Sequence, residues 1–181
     1  MQTYIGFLRG INVGGHRPVK MEALRQVLGG LGLQGVTTYV QSGNLVFRSG
    51  TGDSASLTAE VEVALEAAFG FSIPVILYRP GPLREFLAAN PFADRMQQQG
   101  NKMYYVLWKS DPDASLEERL REGDYPGQEW QVGSLGLYLW CGQGYGKARL
   151  DNNRIERMAG TQATTRNHKT LCRLLEMAEA L

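Results

Sequence analysis

The spacing of apolar residues between positions 3 and 78 leaves this chain few folds to choose from. "TYIGFLR" (3–9) is an apolar run of strand length. From Lys20 the period becomes helical, with Met21, Leu24, Val27, Leu28 and Leu31 on one face. Pro18 lies where a first helical turn tolerates proline, and Gly29, Gly30 and Gly32 close the run. "VTTYV" (36–40) and "NLVF" (44–47) are β-branched or aromatic and meet around Ser42-Gly43, a hairpin signal. After a polar loop from Gly50 to Ser56, Leu57, Val61, Leu65 and Phe69 mark a second helix. "IPVILY" (73–78) is the next strand, with Pro74 suited to its start or to an edge. The order β-α-β-β-α-β is that of a ferredoxin-like sandwich.

The second half partly repeats it. "KMYYVLWK" (102–109) reads as a strand and Leu116 to Arg121 as a short helix, while "EWQV" and "LGLYLW" form a hairpin across Gly133-Ser134. "GPLREFLAANPF" is expected to be a helix closed by a turn. A final helix is expected from about Arg166, with Leu171, Leu174, Leu175 and Ala178 inward. The expected architecture is α+β: two ferredoxin-like (βαββαβ-type) sandwich subdomains with antiparallel sheets. Their spans are 1–79 and 80–181, the latter including the C-terminal helix, packed as one unit.

A chain of 181 residues can bury a real core, and 43% hydrophobic with 20% charged residues is ordinary for a soluble protein. No apolar run has the length of a membrane span, so no membrane partner is expected. "MQTYIGFLRG" has no charged leader, and Arg9 interrupts its apolar stretch, which argues against a secretory signal. Cys141 and Cys172, the only cysteines, are then expected as reduced thiols in a cytoplasmic protein, with Cys141 structural.

Net charge is +1 but uneven: residues 1–48 carry +4, 49–140 carry −6 and 141–181 carry +3. The basic ends either dock on the acidic middle or line a common anion site. Acidic residues are favoured at a helix N-terminus and basic ones are not. Yet Arg17 and Lys20 flank the expected start of the first helix, beside Gly14 and Gly15. Arg166, His168 and Lys169 crowd the expected start of the last, after Thr164 and Thr165. An anion held by amides, hydroxyls and guanidinium groups would remove that conflict. The candidate anion-binding residues are therefore Gly14, Gly15, Arg17, Lys20, Thr164, Thr165, Arg166 and Lys169. Arg9, Ser42, Asn44, Lys147 and Arg149 are weaker candidates, since Ser, Gly and Asn in "QSGN" are what any tight turn wants.

Other chemistries find no support. His16, His168 and the two cysteines form no zinc spacing, and no nucleophile turn of the G-x-S-x-G kind is present. The Gly10, Gly14, Gly15 spacing fits neither dinucleotide nor Walker loops. "GQGYGKAR" (142–149) is one residue short of a Walker loop and lacks the hydroxyl after Lys147. No metal, cofactor or catalytic residue is assigned, and whether the chain is an enzyme stays open.

Several stretches occur together in order: "LRGINVGG", "VKM", "LR", "YVQSGNLVF", "NPF", "GKARLDNN" and "ATTRN" before a leucine-rich helix. In this the chain resembles the bacterial family catalogued as domain of unknown function 1697, over nearly its whole length. The resemblance implies two ferredoxin-like subdomains and a bacterial cytoplasmic origin, and it brings no reaction. After "ATTRN" that family often has tryptophan and asparagine, where this chain has His168 and Lys169.

Three functions compete. The first is a protein that binds or acts on a small phosphate- or carboxylate-bearing ligand at the basic helix starts. The second is an RNA-binding module, because the βαββαβ order is shared and "YIGFLR" resembles one of the two aromatic motifs. Phe47 alone on the third strand makes a poor stacking platform, however, and net charge is near neutral. The third is an interaction scaffold, homodimeric through a free sheet edge.

Overall fold

A computed structural model describes residues 1–181, with Gly100 in backbone only. The elements are β1 (Gln2–Leu8), α1 (Met21–Gly30), β2 (Gln34–Tyr39), β3 (Asn44–Ser49), α2 (Ser54–Phe69), β4 (Val75–Tyr78), α3 (Pro80–Ala88) and α4 (Ala93–Gln99). There follow β5 (Met103–Trp108), α5 (Leu116–Arg121), β6 (Gln128–Val132), β7 (Gly136–Cys141), α6 (Asn152–Ala159), β8 (Ala163–Asn167) and α7 (His168–Glu179). Two antiparallel four-stranded sheets result, ordered β2-β3-β1-β4 and β6-β7-β5-β8. The same strand order arises twice from the same βαββαβ succession, so both halves are ferredoxin-like.

The chain divides into two compact units, Met1–Gly81 with Arg173–Leu181, and Pro82–Cys172. The last turns of α7 group with the first unit, although they end the second half of the sequence. In the first unit, Tyr4 and Leu8 of β1 and Leu45 and Phe47 of β3 meet Leu24 and Leu28 of α1 and Leu57, Val61 and Leu65 of α2. Local chemistry sets the helix limits. Asp53 caps α2 by accepting from the amides of Ala55 and Ser56 at 3.2 and 2.9 Å. Gly70, at φ 77°, ends it.

In the second unit, Val106, Trp108, Leu137 and Leu139 pack on Leu116, Leu120, Ile155 and Ala159 of α5 and α6. The other sheet face is buried as well. Phe86 of α3 stacks on Tyr138 at 4.4 Å between ring centroids and meets Tyr105 edge-on at 5.9 Å. The Tyr138 hydroxyl donates to the Phe86 carbonyl at 2.7 Å.

Three local expectations change. "ATTRN" is strand β8, paired with β5 from Ala163↔Trp108 to Asn167↔Tyr104, and α7 begins only at His168. The β6–β7 turn lies one residue later than Gly133-Ser134: Gly133 donates to Gly136 O at 2.8 Å, which makes Ser134 and Leu135 the turn residues. Helices α4 and α6 are additional to the sequence reading; α6 starts on Asp151, which accepts from the Arg154 amide at 2.8 Å. Among the described residues no helix is long and apolar enough to cross a membrane.

Candidate functional site

The glycine-rich loop after β1 is a miniature hairpin. The His16 amide donates to Val13 O at 3.0 Å and the Asn12 amide to Arg17 O at 3.1 Å. Gly14 and Gly15 form its tip at φ 56° and 79°, as a type I′ turn requires of both central residues. Asn12 locks the neck, donating to Val19 O at 2.9 Å and Gln41 O at 2.7 Å while accepting from the Val19 amide at 2.8 Å. Turn geometry thus accounts for both glycines.

Arg17 lies outside the helix start. Its guanidinium sits 5.2 Å from the Phe71 ring centroid and donates to Ser72 O at 2.9 Å, both within the first unit. Lys20 is the residue preceding α1, exposed, and offers the helix no side-chain cap. Among the weaker candidates, Asn44 is buried and donates to Tyr39 O at 3.1 Å and Ser42 Oγ at 2.9 Å, closing its own hairpin. The Arg9 amide bonds Pro74 O at 2.9 Å. Lys147 is exposed on a 3-10 turn, and Arg149 pairs with Asp124 at 3.7 Å.

In the second unit, Thr164, Thr165 and Arg166 are strand residues and not caps of α7; Asn167 caps that helix, accepting from the Thr170 amide at 2.8 Å. Thr165 faces α6, donating to Asn152 Oδ1 at 2.9 Å and accepting from the Tyr145 hydroxyl at 3.1 Å. Thr164 and Arg166 point to the opposite face, where Arg166 donates to Thr164 Oγ1 at 2.6 Å and Thr165 O at 2.9 Å. Burial pushes the Arg166 guanidinium down to about 10, partly offset by Tyr145. The expected clash of a basic side chain with the helix dipole therefore applies to Lys169, and not to Arg166.

His168 and Lys169 open onto a cavity of about 640 Å³, lined with them by Met96, Gln97, Asn101 and Asn167 among others. Its size suits a small ligand, and its lining mixes apolar surface with amides, an imidazole and an ammonium group. Directly behind it runs a polar chain. Cys172 Sγ is 3.2 Å from His168 Nε2, His168 Nδ1 is 2.9 Å from the Tyr105 hydroxyl, and the Asn90 side chain bonds Tyr105 in turn. Burial lowers the pKa of His168 and raises that of Tyr105, so both are neutral near pH 7. Sequence reasoning passed over this chain. The available signal was the four-residue spacing of His168 and Cys172, which puts them on one helix face.

A second cavity, of about 600 Å³, is lined by Arg119, Arg154, Arg157 and Glu122. Two of its guanidinium groups already have partners: Arg119 on Met158 O at 3.0 Å and Asp113 at 3.5 Å, Arg154 over the Tyr125 ring at 5.2 Å. Among the described residues no group of three His, Cys, Asp or Glu side chains could hold a metal ion.

Comparison with solved structures finds a conserved bacterial protein from Streptococcus pneumoniae, similar at a TM-score of 0.73 and 23% identity, over 97% of this chain and 98% of that one. At that identity the likeness concerns the fold. None of the curated proteins matches the chain. The model of the family described as "Protein of unknown function (DUF1697)" matches residues 1–138, and the chain belongs to that family.

Proposed function

We propose that the protein binds a small carboxylate- or phosphate-bearing ligand in the second unit, at the N-terminus of α7. The observation that carries this reading is the cavity of about 640 Å³ onto which Lys169 and His168 open. A lysine in a first helical turn opposes the helix dipole, at a cost of about 0.3–1 kcal/mol that a bound anion would reverse. Lys169 would supply the charge, Asn101, Asn167 and Gln97 directed hydrogen bonds, and Met96 an apolar wall. Arg166, held by Thr164 on the neighbouring strand, would add positive potential without entering the cavity. Arg17 is engaged by Phe71 and Ser72, so the reading does not depend on it.

The RNA alternative keeps its βαββαβ order but not its aromatics. Tyr4 and Phe7 of β1 and Phe47 of β3 are buried, as are Tyr105, Tyr138 and Trp140 in the second sheet, so bases would find no stacking platform there.

A thermal-shift series at low salt with inorganic phosphate, citrate and nucleoside phosphates tests the proposal. A ligand at about 100 times its Kd adds about 2.7 kcal/mol of stability. In a chain of this size that raises Tm by roughly 5–10 °C. Lys169→Glu should abolish the shift and Arg119→Ala should leave it. Silence from every small anion, or an undiminished shift in Lys169→Glu, overturns the proposal.

A further inference from the structure

We infer that Cys172 is a nucleophilic thiol, with His168 as its base, that exchanges with small disulfides. His168 and Cys172 lie four residues apart on α7, and Sγ sits 3.2 Å from Nε2. The opposite ring nitrogen meets the Tyr105 hydroxyl at 2.9 Å, and Asn90 holds that hydroxyl. Nucleophile, base and orienting group are thereby in line. With the thiol proton directed at Nε2, Nδ1 carries the ring N–H and donates to Tyr105, which fixes the tautomer.

The surroundings leave the ring unprotonated and so available as a base. Burial keeps His168 neutral near pH 7; Tyr105 of β5 faces it, with Tyr138 of β7 edge-on to Tyr105, both neutral phenols whose pKa values burial raises. Arg166 of β8, the ladder partner of Tyr105, and Lys169 on α7 itself are the nearby cations, and positive charge stabilises a developing thiolate. Cys172 is half-buried, and its partner His168 lines the cavity of about 640 Å³.

The step balances without a further oxidant. The Sγ–H proton passes to His168 Nε2 as sulfur attacks one sulfur of R–S–S–R. The Cys172 S–S bond forms, the original S–S bond breaks, and the departing thiolate takes the proton back from the imidazolium. The products are Cys172–S–S–R and R–SH. Cys141 is the internal control: it is buried, and burial pushes its thiol up to about 11.

The inference needs no bound anion, so its failure and that of the ligand site are separable. Full-length protein is treated with neutral iodoacetamide, and separately with dithiobis(nitrobenzoate), and modified peptides are mapped by mass spectrometry. At pH 7 Cys172 should react at least about tenfold faster than in His168→Gln, a threshold set below the roughly 100-fold at which a positioned base's usual contribution begins. The wild-type rate should rise through an inflection on the acid side of about pH 6.5. In His168→Gln that inflection disappears, leaving a single rise near about 8.5. Tyr105→Phe, which removes only a positioning hydroxyl, should slow the reaction and keep the acid inflection. The disulfide reagent should leave its mixed disulfide on Cys172 and not on Cys141. Equal rates in wild type and His168→Gln, or prior modification of Cys141, overturn the inference. So does a wild-type profile whose one inflection is near about 8.5, and that profile needs no variant to fold.

Discussion

Asn12 offers the sharpest test of how the loop after β1 is built. Its side chain makes three hydrogen bonds, two to the backbone of Val19 and one to Gln41 O, and its own backbone sits at φ 55°. Val19 is 2% exposed, so its amide and carbonyl have little access to replacement water. A typical intramolecular bond contributes about 1 kcal/mol net, and a buried group left unsatisfied costs about 1–3 kcal/mol. Asn12→Ala loses all three bonds, worth about 3 kcal/mol, and adds about 1 kcal/mol for placing a Cβ-bearing residue without Asn's local bonding in left-handed space. Asn12→Gly escapes the second penalty and should be about 1 kcal/mol milder. Asn12→Asp keeps the acceptor for the Val19 amide but sets a carboxylate oxygen against the Val19 and Gln41 carbonyls, so it should be at least as destabilising as Asn12→Gly. Urea unfolding followed by circular dichroism reads these differences as midpoint shifts at constant m-value. If Asn12→Ala lies within about 0.5 kcal/mol of wild type, as an ordinary surface change would, the lock does not exist.

Two further outcomes are expected. The native pKa of His168 is lowered by burial, so between that value and the unfolded value of about 6.5 the unfolded chain binds more protons. Its contribution is full above about pH 6.5 and is lost as pH falls through the native value; His168→Gln should flatten that part of a stability–pH curve from urea midpoints. Gly136 has no room for a methyl group: a Cβ there would lie 2.1 Å from Val106 O and 3.2 Å from Leu107 Cα, both backbone atoms of the adjacent strand. Gly136→Ala should destabilise by about 3 kcal/mol or more by chemical denaturation, and a neutral result would refute the β5–β7 register.

The elements written in local code were legible. Apolar spacing places β1, α1 and α2, and the same holds for β5, α5 and the β6–β7 hairpin. What escaped was decided by tertiary contacts. Thr164 and Thr165 suit either a helix cap or a strand, and pairing with Leu107 and Val106 makes them strand. Helix α6 buries only Ile155 and Ala159 of its eight residues, too few to show a period. Within the candidate site, Gly14, Gly15 and Asn44 prove to be turn chemistry. Tyr105, by contrast, gives no sign in the sequence of lying against His168, 63 residues away. With α7 expected from about Arg166, His168 reads as one of a group of cations at a helix start, which hides its spacing to Cys172.

The internal repeat shows which of these polar groups the fold itself demands. Aligning the ladders β1–β4 and β5–β8 by their helix-facing residues, Leu8 with Trp108, sets Ile5 against Tyr105, Ile76 against Thr164 and Tyr78 against Arg166. Ile5 and Ile76 are buried and apolar in the first unit, so a ferredoxin-like sheet can hold hydrocarbon at the positions of Tyr105 and Thr164. Placing a phenol, a hydroxyl and a guanidinium there in the second unit carries a desolvation cost that the topology does not require. The polar set extends through His168 to Cys172 and borders the cavity at the start of α7. Function that departs from the shared scaffold is therefore to be sought on this face of the second unit. Replacing Tyr105 and Thr164 by the isoleucines of their counterparts should preserve the circular-dichroism spectrum while slowing the reaction of Cys172 with iodoacetamide, as Tyr105→Phe does.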